Sequence, residues 1–138
     1  MPVELRPNKA CPVVLRGADR SEVLVFRHPL AGIQLVKGGI EPGEAPGAAA
    51  LRELREEAGI STAQVERDLG LWDSGHTGQV WSLHLCRVTA VLPERWTFQT
   101  ADDGGQRFEF FWHPLQREAS SAWHPLFQAA LSILRQRL

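Results

Sequence analysis

Three glutamates, Glu53, Glu56 and Glu57, stand within the run Arg-Glu-Leu-Arg-Glu-Glu. In a helix, residues three and four positions apart share a face, so Glu53 would lie beside both Glu56 and Glu57. Like charges at this spacing repel and destabilise an isolated helix unless a cation neutralises them. Carboxylate oxygens are hard ligands, which Mg²⁺ prefers. The spacing therefore predicts a divalent-cation site on the acidic edge of a helix.

The helix that must carry these glutamates is predicted over residues 44–58. Glu44 stands at its start, where the helix dipole favours negative charge, and Gly59 follows its last turn as a stop signal. Its opposite face carries apolar residues at core spacing: Ala50, Leu51, Leu54 and Ala58. The preceding loop has little side-chain bulk: Lys37, Gly38, Gly39 and Gly43. We expect this loop to face a phosphate or a metal, because backbone groups can approach closely there.

The segment from Gly38 to Ile60 resembles the signature box of the Nudix hydrolases. A glycine, five residues, a glutamate, seven residues and then Arg-Glu-Leu-Arg-Glu-Glu-Ala-Gly-Ile follow in the order of that box. The matching residues are Gly38, Glu44, Arg52, Glu53, Leu54, Glu56, Glu57, Gly59 and Ile60. A helix rich in Glu and Arg is usually only a solvated surface, but the glycine and glutamate spacing outweighs that interpretation.

The resemblance implies that the box binds Mg²⁺ or Mn²⁺. The implied metal ligands are Glu53 and Glu57, joined variably by Glu56, and a backbone carbonyl of Lys37 or Gly38. Arg52 would orient Glu53 through an ion pair, and Glu44 would give similar support at the helix end. Glu53, Arg52 and Glu44 are therefore the catalytic residues that the box implies.

The general base is not fixed by the box, because different Nudix enzymes use a glutamate inside it or one from a later segment. Glu109 is the outside candidate, since Glu109, Phe110 and Trp112 resemble a late segment of dinucleoside polyphosphate hydrolases. Asp102 and Asp103 are alternatives, although their place beside two glycines is typical of a structural turn.

Substrate contacts are predicted outside the glutamates. Residues 36–44 are similar to the loop of diadenosine polyphosphate hydrolases, so Lys37 and Arg27 are expected to meet a distal phosphate and Gly39 to face the substrate. The stacking candidates for a base are Phe110, Trp96 and Phe98, whereas Trp72, Trp81 and Trp123 are interpreted as core. The tyrosine common in such enzymes after the box is replaced by Thr77, and the proline of ADP-ribose enzymes by Gly75.

The predicted function is Mg²⁺-dependent hydrolysis of a nucleoside diphosphate linked to another moiety, with dinucleoside polyphosphates slightly preferred. Nucleoside triphosphates, ADP-ribose and nucleotide sugars are alternative substrates. A non-catalytic Nudix module that senses a nucleotide is an alternative of another class, but the intact glutamates oppose it. The expected partner is thus a small nucleotide.

The remaining patterns predict a single domain over residues 1–138 with an α/β fold. Strands are predicted at 9–16, 21–28, 67–73, 79–90 and 108–112. A C-terminal helix is predicted after Ser120 or Ser121 as its cap. These elements predict a mixed central sheet between helices. The Nudix resemblance implies the same arrangement, an α/β/α sandwich.

The composition of the chain argues against several other classes of protein. The 138 residues carry a net charge of −1, which gives no support for general nucleic-acid binding, although an RNA end remains a candidate substrate. Cys11 and Cys86 lack ligand spacing and are predicted to be reduced core thiols, and the five histidines show no zinc pattern. The sequence lacks a signal-peptide pattern and a membrane-length apolar run, so we expect a cytoplasmic protein. Monomer and homodimer both stay open.

Overall fold

A computed structural model describes residues 4–101 and 104–138, so Asp102 and Asp103 lie outside the described residues. A mixed sheet dominates these residues, and its strands lie in the order β5-β6-β1-β2-β8-β7, with β3 on β2 and β4 on β1. The strands are β1 (Lys9–Arg16), β2 (Glu22–His28), β3 (Gly32–Gln34), β4 (Gly38–Gly39), β5 (Ala63–Asp73), β6 (Val80–Val88), β7 (Trp96–Gln99) and β8 (Arg107–Pro114). Strand β1 pairs parallel to β6, whereas the other pairs are antiparallel.

Alternation along the strands builds a core on each face of the sheet. One core lies under the C-terminal helix α2 (Pro125–Arg137), and the other lies under the helix that carries the glutamates. In β6, Trp81, Leu83 and Leu85 join the first core and Cys86 the second. The sheet is therefore covered on both sides, which confirms the predicted sandwich. None of the helices in the described ranges is long and apolar enough to cross a membrane.

The glutamate helix begins later than predicted and changes its winding. Helix α1 spans Pro46–Glu53, and the chain continues as a π-helical turn over Leu54–Ala58. Glu44 therefore precedes the helix instead of opening it. Gly59 ends the turn with a φ of 72°, as the predicted stop signal requires. The apolar pattern does not reveal the π-helical turn, because Ala50, Leu51, Leu54 and Ala58 also fit the spacing of an ordinary α-helix.

Helix α2 is capped by a residue other than the predicted serines. His124 precedes the helix, its Nδ1 accepts a hydrogen bond from the backbone N–H of Leu126 at 3.2 Å, and Pro125 follows. Ser120 instead accepts from the N–H of Ala122 in the preceding turn. Proline at the first helical position fixes the start of the helix, since it has no N–H to satisfy.

Strands β1 and β2 separate at one end of the sheet. They pair at Leu15 with Val23 and at Arg16 with Glu22. Beyond these pairs, β1 takes β4 as its neighbour and β2 takes β3. The first residue of β1, the last residues of β2 and the first residues of β8 all lie at this end, because β2 runs antiparallel to both neighbours. The glycine loop crosses the sheet at this opening.

Strand β7 was not predicted, and it changes the interpretation of two aromatic residues. Trp96 stacks on Phe110 with ring centroids 5.0 Å apart, and its Nε1 donates to the carbonyl of Ala58. Phe98 lies against Gly59. These rings cover the end of the π-helical turn, so they join the packing of the second core.

Gly59 gives a test of this packing. A Cβ at Gly59 would lie 2.7 Å from the Phe98 ring, in a left-handed conformation that alanine adopts reluctantly. We expect Gly59→Ala to lower the free energy of unfolding by about 2 to 4 kcal/mol, measured by urea denaturation. Gly43→Ala is the matched control, because Gly43 has a φ of 76° and nothing within 4 Å. For Gly43→Ala we expect only the backbone cost of about 1 kcal/mol. Equal losses of stability in the two variants would refute the contact between residue 59 and the Phe98 ring.

Candidate active site

Arg52 lies at the centre of the acidic cluster. Its Nε and Nη2 donate to the two carboxylate oxygens of Glu44, each at 2.9 Å. Its Nη1 donates to Glu53 at 2.9 Å and to Glu56 at 3.0 Å, and Nη2 also donates to the carbonyl of Gly39 at 2.7 Å. One guanidinium therefore ties the glycine loop, the segment before α1 and the glutamates together.

The charges around Arg52 stabilise each other in their ionised forms. The Arg52 side chain is 16% exposed. Its hydrogen bonds, followed by the backbone N–H of Glu41, lower the pKa of Glu44 to about 2. The same contacts raise the pKa of Arg52 above its ordinary value. Glu44 is thus a carboxylate at any physiological pH and holds Arg52 in one orientation.

Gly38 makes room for Glu53. The Glu53 residue is only 7% exposed. A Cβ built on Gly38 would lie 1.9 Å from its Cδ and 2.0 and 2.3 Å from its two carboxylate oxygens. No real side chain tolerates such distances, so this position requires glycine for steric reasons. Gly38 and Glu53 therefore fix the loop against the helix.

Glu57 places a second carboxyl group beside Glu53. Burial raises the pKa of Glu57 well above its ordinary value, and its hydrogen bond and charge interaction with Glu53 raise it further. The backbone N–H of Lys37 acts in the opposite direction. One oxygen of Glu57, Oε2, is buried without a hydrogen-bond partner among the described residues. A divalent cation between the two carboxylates would satisfy that oxygen and remove their repulsion.

Glu56 differs from the other two glutamates. Its side chain is 41% exposed and turns toward Arg52. The three carboxylates are therefore not equivalent, although helical spacing predicted one shared face. Across residues 4–101 and 104–138, no three carboxylate, imidazole or thiol side chains converge into a metal site by themselves. In proteins, Mg²⁺ commonly takes only one or two carboxylates and completes its shell with water and substrate phosphate.

Lys37 directs its ammonium away from the glutamates. Its Nζ donates to Oε1 of Gln79 at 3.1 Å and lies 5.1 Å from the centroid of the Trp81 ring. The pairing of β1 with β4 and β6 brings Lys9 to the same place. Sequence reasoning missed both Lys9 and Gln79, because only strand pairing brings them to the glycine loop and no motif marks either residue.

Arg27 and Glu109 lie across the opening, on the other half of the sheet. They are direct partners in the pairing of β2 with β8, and both are exposed. Glu109 lines a cavity of about 400 Å³ with Arg95, Trp96, Thr97 and Phe110. The structure thus brings Arg27 and Glu109 to the end of the sheet where the glycine loop lies, but not into the Arg52 cluster.

Phe110 does not offer the open ring that base stacking needs. It is 1% exposed, with Trp96 stacked on it and Phe26 5.2 Å away between centroids. This burial corrects the expectation of a direct stacking platform. Trp81 and Trp123 are buried and Trp72 is partly buried against the same core, as predicted. Cys11 and Cys86 are free and buried, also as predicted.

Known proteins share both the sequence and the fold. The model of the NUDIX domain matches residues 6–132. Diphosphoinositol polyphosphate phosphohydrolase 2 of Mus musculus is 32% identical over 107 residues, which cover 75% of this chain and 57% of that protein. Nudix hydrolase 25 of Arabidopsis thaliana is 37% identical over 73 residues, covering 52% and 41%. The chain thus spans about half the length of these curated relatives.

One solved structure shows how far the similarity of the fold extends. An ADP-ribose pyrophosphatase from Streptococcus suis superposes with a TM-score of 0.65 at 14% identity, over 96% of this chain and 94% of that one. At this identity the match concerns the fold alone. It agrees with the mixed sheet and two covering helices described above.

Gly38→Ala tests the fit between the loop and Glu53. The added methyl group must displace the Glu53 carboxylate, so we expect phosphate-releasing activity to fall on the order of 100-fold. Gly47→Ala in α1 is the control, because a Cβ on Gly47 would make only ordinary contacts, the nearest with Val65 at 3.5 Å. Steady-state kinetics at saturating Mg²⁺ measures both variants. Equal activities would show that the position of Glu53 is not critical.

Arg52→Lys tests the guanidinium fork. Lysine keeps the charge but cannot hold Glu44, Glu53 and the loop carbonyl together, so Mn²⁺ affinity should fall about 10- to 100-fold. Electron paramagnetic resonance of free Mn²⁺ measures the affinity. Arg55→Lys is the control, since Arg55 is exposed and lies one turn along the same helical segment. If both variants bind Mn²⁺ as tightly as the original protein, the hydrogen bonds of the Arg52 guanidinium are not needed for metal binding.

Proposed function

We propose that this chain, which belongs to the Nudix family of hydrolases, is a Mg²⁺-dependent pyrophosphohydrolase. Its substrates would be nucleoside diphosphates linked to another moiety. The family acts on phosphoric anhydride bonds and generally uses divalent metal ions. One observation carries the proposal. Glu57 holds a buried oxygen without a partner in the described residues, directly beside the carboxylate of Glu53. Such a pair is costly unless a cation or a proton lies between its members.

We assign the metal to Glu53 and Glu57, with the carbonyl of Lys37 or Gly38 and a variable contribution from Glu56. When bound, Mg²⁺ neutralises phosphate oxygens and lowers the pKa of a water molecule. Arg52 orients Glu53 through a hydrogen bond, and Glu44 keeps Arg52 in place. The free space at Gly38 lets the loop approach the carboxylates without a side chain between them.

The general base of the proposed reaction is Glu53 or Glu109. Glu53 lies in the acidic cluster and needs no movement to reach a water molecule bound there. Glu109 is exposed at the same end of the sheet, as the direct strand partner of Arg27. It would reach the water molecule when the substrate lies between the two halves of the sheet. Arg27 then contacts the substrate phosphates, and Trp96, half-buried at the cavity beside Glu109, is the ring that we assign to the nucleoside.

Dinucleoside polyphosphates are the substrates we place slightly ahead of nucleoside triphosphates, ADP-ribose and nucleotide sugars. Lys37 supports this order: no carboxylate of the described residues lies within 4.0 Å of its ammonium group, so a longer phosphate chain would offer a partner for its charge. The names of the relatives cover a diphosphoinositol polyphosphate and ADP-ribose, so they leave the order open. We further propose a cytoplasmic protein, consistent with two free buried thiols. Monomer and homodimer both fit this function.

Glu57→Gln provides the main test. The amide keeps the shape but loses the charge that binds the cation, so Mg²⁺-stimulated turnover should fall at least about 100-fold. The assay uses diadenosine tetraphosphate, ATP, ADP-ribose, a nucleotide sugar and 5′-triphosphate RNA, with products separated by chromatography. Glu66→Gln is the control, since Glu66 pairs with Arg20 far along the chain from the loop.

The same assay separates the alternatives. Undiminished turnover by Glu57→Gln would refute the metal assignment. Nucleotide binding without turnover of any substrate would favour the non-catalytic sensing module. Glu53→Gln and Glu109→Gln, compared over a range of pH, identify the base, because only loss of the base removes the acidic limb of the rate profile.

A further inference from the structure

His84 is a buried histidine that the proposed reaction does not use. The residue is 5% exposed, and its Nε2 lies 2.7 Å from the hydroxyl oxygen of the buried Ser82. A Cβ built on Gly47 in α1 would lie 3.9 Å from its Nδ1 and Cε1, so the ring lies under the first turn of that helix. Nδ1 is buried and has no hydrogen-bond partner among the described residues. Most buried polar atoms in native proteins have a partner, so this bare nitrogen marks an unusual position.

The neutral ring can pair with Ser82 in two ways. If the hydroxyl donates to Nε2, the ring proton lies on Nδ1 as a buried N–H without an acceptor. If Nε2–H donates to the hydroxyl oxygen, Nδ1 carries only a lone pair. The second arrangement is the favourable one, because a lone pair beside the first turn of α1 faces the positive end of the helix dipole. The neutral ring therefore keeps its proton on Nε2 and presents its lone pair to the helix.

A second proton on His84 would lie at an unfavourable place. It would bind at Nδ1 and put a positive charge under the first turn of α1, where the helix dipole is also positive. Ala45 precedes the helix and residues 46–49 are uncharged, so this turn offers no side chain as an acceptor. Burying a charge without a partner is costly. In agreement with this, burial lowers the pKa of His84 below its ordinary value.

The strands around His84 compensate a positive charge only weakly. Asp68 is its direct partner on β5, and the charge of Asp68 acts to raise the pKa of His84. Asp68 is exposed, however, and its Oδ1 accepts from the N–H of Gly70. Among the described residues, no carboxylate lies within 4.0 Å of a His84 nitrogen. The partner on β1 is Pro12, and Cys86 on β6 is a neutral thiol, because burial raises its pKa to about 11.

Helix α1 connects the ring of His84 to the acidic cluster. The helix has eight residues and ends at Glu53, about 9 Å from Gly47 at 1.5 Å per residue. It packs on β1 through three fully buried alanines, Ala10, Ala49 and Ala50. Such short side chains bring the helix close to the strands and cannot absorb a displacement by changing rotamer. Glu53 in turn fits against Gly38 without spare space. A shift of the first turn would therefore reach the carboxylate of Glu53.

We propose that His84 is a positioning residue of α1 and that its protonation weakens metal binding. The neutral ring supports the first turn of α1 and so keeps Glu53 in place against Gly38. A proton on Nδ1 displaces the helix from the sheet, and the acidic cluster loses the geometry that a divalent cation needs. The inference rests on the proposed function and deepens it, since it adds regulation by acid to the same site. His84 acts through the helix and not on the substrate.

The direction of the pH dependence follows from the burial of His84. Folding favours the neutral ring, so the contribution of His84 to the free energy of unfolding is complete above the ordinary pKa of histidine. That contribution is lost as the pH falls from this value through the lower pKa of the folded chain. Metal affinity should decline over the same range. By linkage, bound Mg²⁺ must in return favour the neutral ring.

Nuclear magnetic resonance tests the coupling without catalysis. The full chain is labelled with ¹⁵N and titrated from about pH 8 to about pH 4.5, where histidines change their charge. His84→Gln assigns the imidazole signal of residue 84. The backbone amide of Gly47 should shift with the same midpoint as the His84 ring, and saturating Mg²⁺ should move both midpoints to lower pH. A Gly47 amide that does not follow the ring, or a midpoint that bound Mg²⁺ does not move, would overturn the inference.

Asp68→Asn changes the titration without altering the core. Asparagine keeps the oxygen that accepts from Gly70 but removes the charge, so both the His84 ring and the Gly47 amide should titrate at lower pH, by equal amounts. Asp73→Asn is the matched control, because Asp73 is also an exposed carboxylate of β5 whose Oδ1 accepts from an N–H two residues on. Its midpoints should equal those of the original protein. Unequal movements of ring and amide in Asp68→Asn would contradict the coupling.

Metal affinity completes the test. Electron paramagnetic resonance of Mn²⁺ compares the original protein with His84→Gln at about pH 7.5 and about pH 5. The glutamine amide can donate to Ser82 but takes no proton. Between these pH values the original protein should lose about fivefold more affinity than His84→Gln, which is a modest coupling between two sites. Asp68→Asn, whose core is unchanged, should also lose less affinity than the original protein.

Two outcomes separate this inference from the proposed function. Equal losses of Mn²⁺ affinity in all three proteins would show that protonation of the carboxylates alone explains the effect of acid, and would overturn the role of His84. Absence of both metal binding and turnover would refute the proposed function. In that case a Gly47 amide that titrates with the His84 ring would still support His84 as a positioning residue of α1.

Discussion

The hydrogen bonds of Arg52 are the interaction on which the rest of the site depends. A single guanidinium contacts three carboxylates and one loop carbonyl, and these groups come from three separate segments. Arginine suits this role because its planar fork offers several donors in fixed directions and never loses its charge. The acidic cluster can therefore exist without a metal ion, since part of its charge is already balanced within the protein.

Arg52 balances the charge of the cluster only in part, and the imbalance is the basis of the proposed metal binding. Glu44 and Glu56 are turned to the guanidinium, and Glu53 shares one oxygen with it. Glu57 does not contact the guanidinium through a hydrogen bond, and it has a buried oxygen that lacks a partner among the described residues. The protein thus balances three of the glutamates itself and leaves one pair of carboxylates that a cation would complete. In the proposed function, stability and metal binding are divided among glutamates that look alike in the sequence.

The separation of β1 from β2 supplies the second constraint. Because these strands pair only at one end, the glycine loop can cross the sheet at the other and bring Gly38 against Glu53. The same opening exposes both halves of the sheet to a substrate. Lys9 and Lys37 stand on one side, and Arg27 and Glu109 stand on the other. In the proposed function, the substrate would lie between these two sides of the opening.

The sequence by itself determined the family and most of the elements. The glutamate helix, the glycine stop at Gly59 and the strands from 9 to 28 follow from local patterns of polarity and conformation, which are encoded within a few residues. Strand β7 and the cap at His124 escaped prediction, because a short strand and an imidazole cap have weak local signals.

Only the tertiary structure decided which of the candidate residues meet. Glu56 and Glu57 are neighbours in the π-helical turn, yet the Glu56 side chain is 41% exposed beside Arg52, whereas Oε2 of Glu57 is buried. Lys9 carries no motif and reaches the site solely through the pairing of β1 with β4 and β6. Phe110 matched a pattern for substrate binding, but the unpredicted β7 covers it. Contacts between distant segments decide such outcomes, and their energies depend on the whole packing of the sheet rather than on any local spacing.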